Sequence, residues 1–578
     1  MRVERETEVC IVGLGGTGGM AAAALTAAGM HVVALEAGPQ RIGGEHAMDE
    51  ISSSNARNVF GADKFNHEIP TWRPNARSGR RPTPHTQRLA NGVGGSSLVY
   101  GAISFRFHPD DFRARSNTVA RYGPEALPAG TALADWPLSY NDLEPYYDLA
   151  ERLVGVSGLA GHVRGELLAG GNPFEGPRRR PYPLPPLRTS GLGRLFRDAA
   201  LREGYHPFPV PASILTEPYD GREPCTYCSF CNRLACHVDA KGSVVVTALP
   251  RALATGRLEV RTGSRVLRVV SDERGVATGV EYAAADGVHL QPARVVILAT
   301  YSYENVRLLL LSQSRRHPDG LGNNAGQVGR YYMARQHLPA FGAFENHTLN
   351  SFTGPAAQGC TIDDFNADNF DHTGTGFVRG GRIAVVHQFT PIESTVVVPP
   401  DVPRWGRAYK AFVRRYYRRT AVLTVGAETL PYESNFLDLD PERRDPFGRP
   451  VIRITFDAYE NERRLLTWLQ DRAVRLLAGM GADRIWRAPL HVEAMGVHDV
   501  GGARMGTDPH HSVVDGVGRL HDVPNVYVLG GATLPTHGGL NPTLTLQALA
   551  LRTAAHIAGA TPDALGARLA VAAESGRT

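Results

Sequence analysis

The chain has 578 residues and a formal net charge of +5, a length that allows more than one domain and a large core. Only three residues are lysine, so the positive charge is almost all arginine. The arginine clusters at residues 178–180 and 414–419 are too short for the basic face of a nucleic-acid-binding protein. We predict that both clusters are solvated surface, or at most a patch that contacts a partner, and that nucleic acid is not a partner.

No run of residues is long and apolar enough to span a bilayer, which predicts a chain without a transmembrane segment. The N-terminus has neither a secretory hydrophobic segment nor a twin arginine. The sequence by itself therefore predicts a cytoplasmic protein. The alternative is a periplasmic protein that is exported together with a signal-bearing partner.

The first predicted elements are a strand, a glycine-rich loop and a helix. Residues 9–12 are an apolar run typical of a strand buried on both faces, and residues 20–28 are alanine-rich and predict a helix. Between them Gly13, Gly15 and Gly18 fit the pattern G-x-G-x-x-G. Such glycines let the backbone turn tightly and approach a pyrophosphate at the helix N-terminus.

An acidic residue follows at the spacing that a dinucleotide site needs. Residues 31–35 predict the next strand, and Glu36 stands at its end, where a carboxylate can accept hydrogen bonds from ribose hydroxyls. Strand, loop, helix, strand and acid in this order predict a dinucleotide site with an unphosphorylated ribose. They do not distinguish FAD from NAD.

The next segments are less regular. Residues 41–88 predict an extended excursion over the nucleotide. Residues 91–101 are a Gly/Ser run, which either lets backbone N–H groups crowd a planar or anionic ligand or is only a flexible loop. Ser139 is a good N-cap and predicts a helix after it, whereas residues 170–186 predict a surface loop.

The rest of the chain divides into two patterns. Alternation at residues 258–270 and 279–282 predicts hairpin strands, and residues 294–299 and 304–312 predict a buried strand and a helix. Strands of an antiparallel sheet and an amphipathic helix then follow, and the chain returns to a buried strand that runs into glycines. These later elements are predicted at residues 382–386, 421–425, 461–477 and 525–531.

We therefore expect an α/β fold with a discontinuous, Rossmann-like nucleotide domain and a second, α+β substrate domain built on an antiparallel sheet. The expected boundaries are residues 1–335 and 490–578 for the nucleotide domain, with a cysteine-rich segment at 215–245, and residues 336–489 for the substrate domain.

Four stretches resemble the glucose–methanol–choline (GMC) flavin oxidoreductases. They are the fingerprint with Glu36, the Gly/Ser run at residues 94–97, residues 498–506, and residues 525–550 with Asn-Pro-Thr at 541–543. Residues 225–231 and 303–309 carry a narrower resemblance, to flavoprotein subunits of bacterial gluconate, fructose and glucoside dehydrogenases. The resemblance implies FAD, a sugar-type substrate, and a small subunit or a cytochrome electron acceptor as partner.

Carried over by motif, the resemblance assigns FAD contacts throughout the nucleotide domain. Val99 stands where some relatives attach FAD through a histidine, so we expect non-covalent FAD. The residues that would contact FAD are Gly13, Gly15, Gly18, Glu36, Gly94, Gly95, Ser96, Ser97, Val266, Gly530, Gly531, Ala532 and Thr543.

The same motifs supply candidates for the chemistry. Oxidation of an alcohol removes a hydroxyl proton and transfers a carbon-bound hydride, and a neutral imidazole suits the first step. By the resemblance His498 is the base and Asn541 the second group that holds the substrate oxygen. His537, four residues before Asn541, is a rival base or a substrate contact.

Cys225, Cys228, Cys231 and Cys236 form a compact C-x2-C-x2-C-x4-C box, one residue longer at its end than a bacterial ferredoxin run. We expect it to hold an iron–sulfur cluster with three or four irons. A structural zinc site and four reduced thiols are the alternatives.

The sequence thus predicts an FAD-dependent dehydrogenase acting on a secondary alcohol of a sugar, glycoside or sugar acid. Electrons would leave through the cysteine cluster to a partner. An oxidase that uses oxygen and a lyase with structural FAD are the rival functions.

Overall fold

The computed structural model describes residues 1–41, 48–51, 70–82, 90–387, 390, 392, 395, 397–492 and 498–575. Most of the excursion predicted over residues 41–88 lies outside the described residues. Within those residues, no helix combines the length and the apolar character that crossing a membrane requires.

Strands outnumber helices among the described residues, and many of the strands are short. The strands are β1 Arg2–Val3, β2 Thr7–Val12, β3 Val32–Leu35, β4 Thr71–Arg73, β5 Arg81–Pro82, β6 His162–Val163, β7 Glu166–Leu167, β8 Phe208–Pro209, β9 Leu258–Arg261, β10 Arg265–Ser271, β11 Ala277–Ala284, β12 Gly287–Leu298, β13 Gln336–His337, β14 Ala340–Ala343, β15 Cys360–Ile362, β16 Gly381–Val385, β17 Thr420–Ala427, β18 Phe436–Arg444, β19 Pro450–Thr455, β20 Arg484–Arg487 and β21 Val526–Val528. The helices are α1 Gly18–Ala27, α2 Ala114–Tyr122, α3 Tyr140–Val154, α4 Gly191–Arg202, α5 Ala248–Ala254, α6 Ser302–Leu311, α7 Gly406–Tyr416, α8 Glu460–Gly479, α9 Thr543–Ile557 and α10 Pro562–Ser575.

An eight-stranded sheet carries the N-terminal fingerprint. Its parallel part runs β9–β3–β2–β12, with β21 and β1 also parallel to β12, and the antiparallel strands β11 and β10 extend it. Val9, Cys10 and Ile11 of β2 are fully buried, as an apolar strand with both faces covered should be. The glycine loop leaves the carboxyl end of β2, which is where open α/β sheets bind their ligands.

Most predicted elements of this sheet are confirmed within a few residues, but one pairing is wrong. Residues 258–261 form β9, which pairs parallel with β3 instead of joining a hairpin. The hairpin is made by β10 and β11. Alternation in a sequence reports which side chains are buried and does not identify the neighbouring strand, so this pairing was not encoded in the pattern.

The second large sheet has seven strands and is antiparallel. It confirms the antiparallel sheet that the sequence predicts in addition to the nucleotide-binding sheet. Its order is β20–β14–β17–β16–β15–β8, with β13 paired to one end of β17. Helices α4 and α8 pack on it, and their apolar side chains share one core with its strands. The sheet also draws β8 from the earlier part of the chain, whereas β18 pairs with β19, and β19 pairs with β4, in a separate four-stranded sheet.

The predicted helix after Ser139 is confirmed as α3. Ser139 is its N-cap, and the Ser139 hydroxyl accepts a hydrogen bond from the Asp142 amide at 3.3 Å. The prediction that residues 178–180 are all solvated is wrong. Arg178 is 1% exposed and lies 2.5 Å from the Glu151 carboxylate of α3, which also accepts two hydrogen bonds from Arg106. A buried carboxylate between two guanidinium groups explains why this arginine is inside.

We expect Glu151→Gln to lower the free energy of unfolding by about 3–5 kcal/mol, because it leaves two buried guanidinium groups without their shared carboxylate. Glu460→Gln is the matched control, since the Glu460–Arg464 pair on α8 is exposed and should contribute about 1 kcal/mol or less. Thermal unfolding of both variants measures the difference. Equal shifts would contradict the assignment of Glu151 to a buried network.

Candidate active site

A cavity of about 880 Å³ opens between the two large sheets. One wall comes from the loop after β2, the Gly/Ser run and the start of β10. The opposite wall comes from β14, β16 and β17, and His498, Asn541 and Thr543 close the space between them. The cavity therefore joins the predicted nucleotide residues to the predicted catalytic residues.

The fingerprint loop is shaped by close backbone approach. Gly13 has φ +92°, and a Cβ at Gly18 would come within 2.1 Å of the Gly13 carbonyl oxygen, so both positions require glycine. A Cβ at Gly15 would meet no protein atom within 4 Å, because this residue faces the cavity. This open cradle at the N-terminus of α1 fits a pyrophosphate.

Glu36 lies at the end of β3 as predicted and lines the same part of the cavity. Its two carboxylate oxygens accept hydrogen bonds from the amides of Leu14 and Gly38, each at 2.9 Å. The carboxylate thus holds the glycine loop in place. An ionised carboxylate has lone pairs for further donors, which leaves room for a ribose hydroxyl.

The Gly/Ser run packs directly against the fingerprint loop. Gly94 has φ +90°, and its amide donates to the Leu14 carbonyl oxygen at 2.8 Å. A Cβ at Gly95 would lie 3.2 Å from the Gly15 Cα, so the two loops are in close contact there. Gly95, Ser96 and Ser97 line the cavity within the 3₁₀ turn Gly95–Leu98. This arrangement agrees with a loop that lies along a ligand.

Other residues assigned to FAD lie on the walls or directly behind them. Val266, Gly530, Gly531 and Thr543 line the cavity, while Ala532 is fully buried outside its lining. Val99 also lines it, and non-covalent attachment of FAD stays a prediction. The described residues on this side of the cavity fit FAD.

His498 and Asn541 come together from distant parts of the chain. His498 Nε2 lies 3.2 Å from Asn541 Nδ2, and Asn541 Oδ1 accepts a hydrogen bond from Arg382 Nη2 at 2.9 Å. Because Arg382 can only donate, it turns the Asn541 amide so that Nδ2 faces the histidine. His498 Nε2 is therefore the unprotonated ring nitrogen.

The electrostatic environment keeps His498 neutral. Burial is the largest cause that lowers its pKa well below the ordinary value, and the positive charges of Arg335 and Arg382 act in the same direction. The single lone pair of Nε2 accepts the hydrogen bond from Asn541, and a hydroxyl that replaces this bond can pass its proton to the neutral imidazole. This is the property that the predicted base requires.

His537 occupies a different place from the one that a rival base would need. It is fully buried, does not line the cavity, and lies with Nε2 2.8 Å from the His498 carbonyl oxygen and Nδ1 2.8 Å from the Gly538 carbonyl oxygen. Burial lowers its pKa to about 4. His537 supports the backbone of His498 from behind.

Two arginines of this site were missed by the sequence analysis. Arg335 directly precedes β13 and Arg382 lies in β16, and both are buried at the cavity. One signal could have found Arg382, namely its charge inside an otherwise apolar strand, since a buried cation needs a specific reason. No local signal pointed to Arg335.

The cysteine box does not form the predicted cluster site. All four cysteines are free and half-buried, and the Tyr227 amide donates to Cys225 Sγ at 3.4 Å. Burial raises the pKa of Cys225 to about 12. Among the described residues, no group of three or more His, Cys, Asp or Glu side chains could hold a metal ion. The thiols therefore do not fit an iron–sulfur cluster or a zinc ion in this arrangement.

Comparison with known proteins identifies the family. One model of the GMC oxidoreductase family matches residues 79–330 and a second matches residues 431–550. The chain belongs to the GMC oxidoreductase family. It is thus an FAD-dependent oxidoreductase that acts on CH–OH donors, and the recognition made from its motifs is confirmed.

Relatives from this family match nearly the whole chain. The gluconate 2-dehydrogenase flavoprotein of Pantoea cypripedii is 34% identical, covering 94% of this chain and 92% of that protein. The fructose dehydrogenase large subunit of Gluconobacter japonicus is 28% identical, covering 95% and 97%. The solved structure of pyridoxine 4-oxidase from Mesorbium loti shares the fold, with a TM-score of 0.56, 17% identity and coverage of 95% and 99%.

We expect Gly15→Val to weaken FAD binding by at least about 1.4 kcal/mol, a factor of ten in Kd, because its side chain would occupy the cradle. Gly79→Val is the matched control, since a Cβ there also meets no atom within 4 Å and the residue lies outside the cavity lining. The ratio of flavin to protein absorbance measures the loss, and thermal unfolding checks the fold. Full FAD content in Gly15→Val would contradict the cradle.

Proposed function

We propose that the protein is an FAD-dependent dehydrogenase that oxidises a secondary alcohol of a sugar, glycoside or sugar acid. The observation that carries this proposal is the pairing of neutral His498 with Asn541 at the cavity wall, 3.2 Å apart. The names of two relatives, gluconate 2-dehydrogenase flavoprotein and fructose dehydrogenase large subunit, support a sugar or sugar acid as the substrate.

Each of the two side chains has one task. A substrate hydroxyl that displaces the hydrogen bond between Asn541 and His498 would donate to His498 Nε2 and accept a hydrogen bond from Asn541 Nδ2. His498 then takes the hydroxyl proton. Asn541 holds the oxygen in place, so that the hydrogen on the same carbon has a fixed orientation for transfer as hydride. FAD, when bound, supplies the acceptor of the hydride. The products are a ketone and a protonated His498.

The proposal includes a partner protein that accepts the electrons. Relatives named as a flavoprotein and as a large subunit support a partner protein, such as a small subunit or a cytochrome. The relay through Cys225, Cys228, Cys231 and Cys236 stays a prediction from the sequence. The described arrangement of these four thiols does not fit a cluster and so gives that relay no support.

We expect His498→Ala to retain FAD and to slow flavin reduction by about 10²–10⁴-fold, the usual contribution of a positioned base. Asn541→Ala should raise the activation free energy of flavin reduction by about 1–3 kcal/mol, since it removes one buried hydrogen bond. His511→Ala is the control, because that imidazole is 73% exposed. Anaerobic stopped-flow absorbance measures the rates, and a larger loss in FAD-loaded His537→Ala than in His498→Ala would reverse the assigned roles.

We expect sugars or aldonates to bleach the flavin without air and to be oxidised faster with a dye acceptor than with oxygen alone. Parallel assays of dye reduction and oxygen consumption make this comparison. Oxygen uptake at the rate of dye reduction would identify an oxidase instead. Product formation without bleaching would identify a lyase.

A further inference from the structure

Two buried arginines stand next to the proposed catalytic pair. Arg382 is 6% exposed, donates to Asn541 Oδ1 at 2.9 Å, and lies over the Phe105 ring at 4.3 Å. Arg335 is 2% exposed and donates one hydrogen bond, to the Gly539 carbonyl oxygen at 2.7 Å. Both line the cavity.

Most of the remaining donors of these arginines have no partner. Arg335 Nε and Nη1 and Arg382 Nη1 are buried without a hydrogen-bond acceptor among the described residues. Leaving a buried charged donor unsatisfied is costly, so such a group marks a place where a partner is expected. Burial lowers the pKa of Arg335 to about 9 and that of Arg382 to about 10, and Arg382 also acts on Arg335.

The acids that act on Arg335 are bonded elsewhere. Asp363 lies 3.1 Å from His108 Nε2 and accepts from the Asn172 amide at 2.8 Å. Glu428 accepts from Arg379 Nε at 3.0 Å. Neither carboxylate forms an ion pair with Arg335 in the described part of the chain. The two carboxylates therefore offset the charge of Arg335 only from a distance, and the Oδ1 atom of Asp363 has no hydrogen-bond partner among the described residues.

The chain makes room for the Arg335 guanidinium. Gly426 on β17 is opposite both His337 of β13 and Arg382 of β16. A Cβ at Gly426 would come within 2.7 Å of Arg335 Nη2 and 2.8 Å of Nε. The two arginines therefore reach the cavity from the two chain segments that flank Gly426. Because Gly426 has no side chain, it leaves space for the Arg335 guanidinium.

We propose that Arg335 and Arg382 bind the carboxylate of the substrate, so that the enzyme selects a sugar acid over neutral sugars and glycosides. This inference rests on the proposed function and specifies its substrate class. Guanidinium groups donate in a planar fork that matches a carboxylate. Because Arg382 is bonded to Asn541, the carboxylate lies only a few bonds from the hydroxyl that is oxidised.

A bound carboxylate would also assist the chemistry. Arg335 and Arg382 oppose a positive charge on His498, and that charge must form when the hydroxyl proton is taken. An anion between the two guanidinium groups offsets their field. A substrate with a carboxylate therefore favours the transfer of its hydroxyl proton to His498, whereas an uncharged analogue does not.

The test measures how the FAD-loaded wild-type protein reacts with gluconate and with two uncharged analogues, gluconamide and glucitol, which keep the hydroxyls that gluconate carries. We expect the ratio of the anaerobic flavin-reduction rate to the Kd to favour gluconate by about 10–100-fold, as charge-assisted hydrogen bonds do. Absorbance perturbation of the oxidised flavin by succinate, with inorganic phosphate as the comparison, measures anion binding without turnover.

Variants then assign the preference to the arginines. Arg335→Gln should abolish the preference for gluconate over gluconamide, and Arg335→Lys should restore part of it. Arg504→Lys is the matched control, because Arg504 is a buried arginine outside the cavity lining that donates to the carbonyl oxygens of His511 and Ala132. Gly426→Ala, which displaces the Arg335 guanidinium, should reduce the preference while keeping both arginines.

Equal reduction by gluconate and gluconamide, or binding of phosphate but not succinate, would overturn the proposal. So would an unchanged preference in Arg335→Gln. Bleaching by all three polyols alike would leave the proposed dehydrogenase function intact, whereas no bleaching by any sugar or aldonate would refute that function itself. The wild-type comparison needs no variant, so it decides even if a substituted protein fails to fold.

Discussion

The site depends on one chain of hydrogen bonds, from Arg382 through Asn541 to His498. The arginine can only donate, so it fixes the direction of the amide, and the amide fixes which imidazole nitrogen carries the lone pair. Burial and nearby positive charge keep that imidazole neutral. The hydrogen-bond chain therefore orients the base, and its buried, positively charged surroundings keep the base neutral.

The two sheets supply the parts of this chain from distant places in the sequence. Arg382 comes from the antiparallel sheet, whereas Asn541 lies next to Pro542, the N-cap of helix α9, which packs on α1 behind the glycine loop. The nucleotide cradle and the base thus share one rigid scaffold. Sites built from helices and strands hold the precise geometry that hydride transfer needs.

The sequence predicted what is encoded locally. The glycine loop, Glu36 and the Ser139 cap are each marked by residue types at a fixed spacing, so they could be predicted from the sequence. The long-range contacts were not readable: the partner of Arg178 lies on α3, β9 pairs with β3, and Arg335 meets Arg382 only across β17. The spacing of the four cysteines likewise did not show that the described residues contain no group able to hold a metal ion.

The most direct measurement of the central claim is the isotope effect on flavin reduction with a substrate deuterated at the oxidised carbon, in wild type and in Asn541→Ala. If His498 and Asn541 align a hydride for transfer, deuterium slows bleaching several-fold in wild type, and bleaching is slower still in the variant. Bleaching at the same rate with either isotope and in either protein would contradict the account.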